Sequence, residues 1–111
     1  MFTIYHNPSC GTSRNVLAHL QGTGQPVSVV EYLKTGWTAP QLCALFAAAG
    51  ITPRQALRKP KEGGEALDGL SDAALIEAMV ADPRLVNRPF VVAPRGTRLC
   101  RPSETVRALI D

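Results

Sequence analysis

Tyr5-His6-Asn7-Pro8-Ser9-Cys10-Gly11-Thr12-Ser13-Arg14-Asn15 is the stretch on which the reading of this chain turns. Just before it, Phe2-Thr3-Ile4-Tyr5 has the length and the β-branched and aromatic content of a short strand. Asn7-Pro8 then forces a turn. From Gly11 to about Leu20 the spacing predicts a helix with Val16, Leu17 and Leu20 on one face, ended by Gly22-Thr23-Gly24. Cys10 therefore falls where a strand hands over to a helix N-terminus, facing orphan backbone N–H groups and the positive end of the helix dipole. A thiol reacts as its thiolate, and a free cysteine is only about 3% ionised at neutral pH; helix N-termini and cationic neighbours raise that fraction. Cys10 is the candidate nucleophile.

Working outward, Val27 to Tyr32 reads as a second strand, which makes a β-α-β start with parallel strands and a right-handed crossover. The middle of the chain is helical. Thr38-Ala39-Pro40-Gln41 is a capping box with proline in the first turn, followed by Leu42, Leu45, Phe46 and Ala49 at helical spacing up to Gly50. Cys43 is read as part of that apolar face. A helical turn over Pro53 to Leu57 and a compact polar loop over Lys59 to Gly69 come next. Leu70-Ser71 with Leu75 fits a serine cap with a hydrophobic staple, and Leu75, Ile76, Met79 and Val80 form the expected buried stripe up to Asp82-Pro83. Then the period changes. Phe90 to Ala93 and Thr97 to Cys100 are two strands around Pro94-Arg95-Gly96, a hairpin, and Ser103-Glu104 is expected to cap a last helix carrying Val106, Leu109 and Ile110. The order is β-α-β, a helical insertion at about 38–82, then β-β-α. This is an α/β chain of the thioredoxin-like plan around a four-stranded mixed sheet, expected as a single domain over 1–111.

Composition narrows the functional classes. At 111 residues and 45% hydrophobic content the chain suffices for one modest core. Three cysteines without paired spacing argue against a disulfide framework and for a reducing compartment, with the cytoplasm as the expected location. No leader-like or membrane-spanning segment is read. The net charge of +3 comes from nine arginines and three lysines, and guanidinium forks suit oxyanions. Without a lysine run or aromatics interleaved with basic residues, nucleic acid is not expected as a partner. Scattered cysteines and two histidines offer no metal-ligand spacing. Val16 stands six positions after Cys10, where the phosphatase-type loop needs arginine, and Ser13 stands where dithiol exchange needs a second cysteine.

The segment His6 to Asn15 resembles the active-site segment of the glutaredoxin-linked arsenate reductases. Leu57-Arg58-Lys59, Asn87-Arg88-Pro89-Phe90-Val91-Val92 and Gly96-Thr97-Arg98-Leu99-Cys100-Arg101-Pro102-Ser103-Glu104 match the same family in the same order. The resemblance implies a thioredoxin-like fold, a cysteine that attacks arsenate or another small oxyanion, and three arginines that hold it. Matched onto this chain these are Cys10 with Arg58, Arg88 and Arg101. It further implies no bound cofactor, glutathione as co-substrate and glutaredoxin as the recycling partner. Thioredoxin-like folds place a cis-proline opposite the active cysteine, and Pro89 takes that position. The electrostatics agree, because cations that bind an oxyanion also favour a thiolate beside it.

Supporting roles have plainer rivals. His6 tunes the thiolate or is a loop histidine bonded to backbone; Thr12 and Ser13 donate to the sulfur and the oxyanion or simply cap the helix. Asn7 fixes the turn. Arg14, Arg95, Arg98 and His19 read as surface residues. A Cys10–Cys100 disulfide stays open, although the resemblance points to glutathione. Two other functions remain in view: a redox-responsive regulator of the same fold that binds RNA polymerase, and a glutathione-dependent thiol transferase. Ser13 argues against the first, since such regulators generally carry cysteine there, and three arginines against the second.

Overall fold

A computed structural model describes residues 1–110. It divides into two compact units, one comprising 1–35 and 88–110, the other 36–87. The first unit is built on a four-stranded sheet. Strand β1 (Phe2–His6) pairs in parallel with β2 (Val27–Glu31), from Phe2 opposite Val27 to His6 opposite Glu31. Helix α1 (Gly11–Gln21) joins them, and the short helix α2 (Tyr32–Thr35) follows. On its other edge β1 meets β3 (Phe90–Ala93) antiparallel, and β3 turns back into β4 (Gly96–Leu99), so the sheet order is β2-β1-β3-β4. This is the mixed sheet expected from the sequence.

Period-two alternation sends Phe2, Ile4 and His6 to one buried face of β1. The helical period gives α1 a buried face of Ser13, Val16 and Leu20. Phe2, Ile4, Val16, Leu20, Val91, Cys100, Val106 and Leu109 form one apolar cluster. Burying each large aliphatic side chain there contributes roughly 1.5–3 kcal/mol.

In the second unit, α3 (Ala39–Ala49) begins with the expected capping box between Thr38 and Gln41 and ends at Gly50, whose φ of 70° suits a residue without a Cβ. Helix α4 (Pro53–Ala56) is a single turn with its own capping box from Thr52 to Gln55. Helix α5 (Asp72–Ala81) is capped by the Ser71 hydroxyl, which accepts from the Ala74 N–H at 3.2 Å. Leu42, Leu45, Phe46, Leu75, Ile76 and Met79 are buried. The loop between α4 and α5 holds a 3₁₀ turn at Gly64–Leu67, and Arg54 donates to the Leu67 and Leu70 carbonyls across it.

Several expectations need correcting. Cys43 is exposed, not core: it lies about 60° beyond Phe46, at the edge of the arc set by Leu42, Leu45 and Phe46. Val80 is 37% exposed for the same reason, flanking the arc of Leu75, Ile76 and Met79. Tyr32 starts a helix rather than ending β2. Ser103 does not cap with its side chain; Pro102 holds the cap position and the final helix opens as a 3₁₀ turn, Ser103–Val106, before α6 (Arg107–Ile110). The expected strand over Thr97–Cys100 runs one residue earlier, so Cys100 lies just past β4.

Candidate active site

The turn that presents Cys10 is built by its neighbours. The Asn7 side-chain carbonyl accepts from the Ser9 N–H at 3.0 Å, and the Asn7 backbone carbonyl accepts from the Cys10 N–H at 3.0 Å. Arg14, whose side chain is exposed, reaches back to donate to the Pro8 carbonyl at 2.9 Å. Cys10 is itself the residue that caps α1: its backbone is extended (φ −97°, ψ 121°) and its carbonyl accepts the Arg14 N–H at 3.0 Å. The backbone conformation is that of an ordinary N-cap, but a sulfur occupies the place where an oxygen usually accepts from the first turn. Cys10 is 8% exposed, so its sulfur sits in a recess rather than on open surface.

Around this sulfur the first unit gathers most of the residues expected at the site. Arg101 Nη1 donates to Cys10 Sγ at 3.7 Å and to the Arg88 carbonyl at 3.0 Å, so the guanidinium is anchored as well as attracted. Arg88 is half-buried at the entrance to β3 and contributes both its charge and a side-chain hydrogen bond to Cys10. The Arg88–Pro89 peptide is cis and Pro89 is fully buried, as the resemblance implied; Arg101–Pro102 is cis as well.

Burial is the largest single influence on the Cys10 thiol and by itself pushes its pKa up. Against it stand the Ser13 N–H, the Arg88 charge, and the hydrogen bonds from Arg101 and Arg88, and together these win: the pKa lies below the ordinary thiol value. The Ser13 N–H acts on the sulfur without closing a capping hydrogen bond of ordinary geometry.

The supporting residues separate. His6 and Ser13 are both buried and their side chains meet, Nδ1 to Oγ at 2.6 Å, while the Asn7 N–H donates to the same Oγ at 3.1 Å. Thr12 is half-buried in the first turn of α1. Arg58 belongs to the second unit, where its N–H donates to the Leu85 carbonyl at 2.7 Å and its side chain is exposed. Arg95, Arg98 and His19 are exposed, as expected.

Cys100 is a free thiol, fully buried in the apolar cluster, with its N–H donating to the Pro89 carbonyl at 2.9 Å. The His6–Ser13 pair went unread in the sequence. The signal was available: extending β1 by one residue puts His6 on the face of Phe2 and Ile4, and stepping back three from Val16 puts Ser13 on the face of α1 that packs against it.

Known proteins resemble this chain along nearly its whole length. The ArsC family model matches residues 5–109. An arsenate reductase of Synechocystis sp., ArsI2, is 55% identical over 115 residues, spanning all of this chain and 82% of that protein. The arsenate reductase of Escherichia coli is 47% identical over 112 residues, 97% of this chain and 79% of its own. The solved structure of an arsenate reductase from Vibrio cholerae superposes with a TM-score of 0.89 at 36% identity, covering 97% of this chain and 96% of the other. With a family model over 5–109 and relatives 47–55% identical across nearly all of its length, the chain belongs to the ArsC family.

Proposed function

We propose that this chain reduces arsenate to arsenite, with Cys10 as the nucleophile and glutathione and glutaredoxin supplying the electrons. The carrying observation is the pair of arginines at one sulfur, with Arg101 Nη1 3.7 Å from Cys10 Sγ and anchored on the Arg88 carbonyl. An oxyanion and a thiolate repel each other, so a site that joins them must supply positive charge to both. Charge-assisted hydrogen bonds are worth about 1.5–3 kcal/mol each, enough for two guanidiniums to hold a small oxyanion and keep the thiolate ionised.

In the first step the Cys10 thiolate attacks arsenic and a sulfur–arsenic bond forms while one oxygen, protonated, leaves as water. Glutathione thiolate then attacks Cys10 Sγ. A disulfide forms, the sulfur–arsenic bond breaks with its electron pair on arsenic, and As(V) departs as As(III), arsenite. The two electrons come from two thiols, one in the protein and one in glutathione. Glutaredoxin takes the glutathione from the mixed disulfide and returns the Cys10 thiol. Arg88 and Arg101 stabilise the charge as it moves between oxygen and sulfur. The family resemblance assigns Arg58 a share of the oxyanion, a role its own substitution tests.

Cys100 supports an external thiol as the resolving partner. Burial, opposed by the charge of Arg98, pushes its pKa up to about 12, and its sulfur donates to the Arg98 carbonyl at 3.8 Å. A thiol so placed is a poor attacking group. Among the described residues no helix is long and apolar enough to cross a membrane. The proposed cycle belongs in a cytosol holding reduced glutathione.

The test is arsenate-dependent NADPH oxidation coupled through glutathione reductase, with glutathione and glutaredoxin present. Turnover in the wild type that disappears in Cys10→Ser is expected; turnover surviving that substitution, or a folded wild type without activity, overturns the reading.

A further inference from the structure

The second unit holds a recess of about 340 Å³ whose lining joins two separate stretches of chain. Arg58, Lys61 and Glu62 come from the loop after α4, and Asp82 and Arg84 from the 3₁₀ turn after α5. Pro60 and Leu85 are its apolar members. We propose that this recess holds the γ-glutamyl end of glutathione, with Arg58 and Lys61 taking its α-carboxylate and Glu62 its α-ammonium. This rests on glutathione as the electron donor of the cycle above, and it names the residues that hold the tripeptide at the end away from its glycine.

Both lining stretches are ordered by contacts of their own. The stem of Lys59 lies across Gly64, where a Cβ would stand 2.8 Å from Lys59 Cγ, so the loop folds back only because that position has no side chain. Lys59 Nζ then reaches Asp68 at 2.8 Å. Arg54 ties the same loop by donating to the Leu67 and Leu70 carbonyls at 2.9 and 2.7 Å. In the other stretch Arg84 grips Asp82 twice, Nε to Oδ1 at 2.9 Å and Nη2 to Oδ2 at 3.0 Å, which holds the Asp82 carboxyl below the usual carboxylate range. Each contact is at the surface and weak alone; what they supply together is a shaped wall.

The signs of charge select the ligand. Asp82 and Arg84 neutralise each other, so the charges presented to a ligand are Arg58, Lys61 and Glu62, none of which forms an ion pair within the described residues. A bare oxyanion gains from the two cations and is repelled by the carboxylate. A group with a carboxylate and an ammonium on one carbon satisfies both signs, and glutathione carries that group at its γ-glutamyl end, whereas its glycyl end is a carboxylate alone. The two γ-glutamyl methylenes suit Pro60 and Leu85.

An NMR titration of the intact Cys10→Ser protein with S-methylglutathione tests binding without turnover. Saturable backbone shifts centred on 58–62 and 82–85 are expected; shifts confined to other segments, or none that saturate, overturn the proposal.

The second measurement is single-turnover arsenite release by wild type with excess glutathione, γ-glutamylcysteine or N-acetylcysteinylglycine. The γ-glutamyl dipeptide should half-saturate within about threefold of glutathione, and the acetylated one, which lacks the held end, should need about tenfold more. Lys61→Gln and Glu62→Gln should each raise the glutathione requirement about 3–10-fold, exposed charges being screened, and move the arsenate requirement less than about twofold. Lys34→Gln, a lysine outside the recess, should change neither. If N-acetylcysteinylglycine serves as well as glutathione, or if the recess variants weaken arsenate as much as glutathione, the assignment is wrong. The NMR titration stands apart from arsenate chemistry, so failure there leaves the nucleophile to be decided by turnover in Cys10→Ser.

Discussion

Cys10 and Cys100 lie in the same unit, both buried, at 8% and 0% exposure, yet their thiols are driven in opposite directions. Burial pushes both up. At Cys100 it prevails, to about 12, because the sulfur sits among Phe2, Ile4, Val91 and Val106 and its polar contact, the Arg98 carbonyl, is an acceptor that suits a protonated thiol. At Cys10 the first turn of α1 and two guanidiniums outweigh it. The comparison teaches that burial raises both thiols and that the donors facing the sulfur decide whether it prevails. With a pKa near 12, about one Cys100 in 10⁵ is ionised at pH 7.

The widest gap between them should be in turnover. Cys10→Ser is expected to lower arsenate reduction at least 10³-fold, since a serine hydroxyl is a weak nucleophile at its free pKa. Cys100→Ala should stay within about threefold in the coupled assay and cost about 1–2 kcal/mol in urea unfolding, the loss of one buried sulfur. If folded Cys100→Ala is also inactive, Cys100 is a resolving thiol and the contrast collapses.

Next in size are the arginines that make the two environments differ. Arg88→Gln is expected to lower kcat/KM for arsenate about 10–100-fold, the worth of one charge-assisted hydrogen bond, and to raise the Cys10 pKa at the same time. Arg101→Gln should do both more weakly, about tenfold, because its side chain is exposed and screened. Steady-state kinetics paired with thiolate titration decides it. A variant that moves one quantity and not the other shows that oxyanion and thiolate do not share these charges.

Much of this contrast was legible in the sequence, and the rest was hidden for identifiable reasons. The Cys10 turn is local: Asn7, Pro8 and a helix start are read within a few residues, and all of them form. The four-stranded mixed sheet followed from strand spacing and the hairpin at Pro94-Arg95-Gly96, whereas its order, β2-β1-β3-β4, depends on which edge of β1 the hairpin joins. Cys43 and Val80 were misplaced because an apolar residue at the flank of a helical stripe reads like one at its centre, and only packing separates them. Cys100 was ambiguous since adjacency to Arg101 says nothing of which way a residue just past a strand points. The pairing of His6 with Ser13 needed the registry of two faces seven residues apart, which neither strand period nor helix period supplies alone. The arginines came from separate segments, and only the resemblance joined them before the structure did.

Chemical labelling gives a smaller, cleaner difference. In iodoacetamide at pH 7, mass spectrometry should find Cys10 and the exposed Cys43 alkylated while Cys100 stays unmodified until denaturant is added. Modification of Cys100 in native buffer at a rate near that of Cys10 would mean that its apolar cluster opens readily and that burial does not protect its thiol.

The smallest expected effect is on stability, and it has opposite signs for the two thiols. Cys10 has a depressed pKa in the folded state, so the unfolded chain holds its proton to higher pH. Its contribution is lost as pH falls through the folded value and is fully present above the ordinary thiol value of about 8.5. Cys100 is raised, so it stabilises nothing below that value and the fold loses stability as pH climbs past it, by about 1 kcal/mol between pH 8.5 and 9.5. His6, depressed below the ordinary histidine value, makes a constant contribution above about pH 6.5 and drops out of the comparison from pH 7 upward. Urea midpoints taken from pH 7 to 9.5 should therefore rise and then fall in the wild type. Cys10→Ser should remove the rise and keep the fall, and Cys100→Ala should do the reverse. A fall that persists in Cys100→Ala would assign the alkaline loss to another group and leave Cys100 an ordinary thiol.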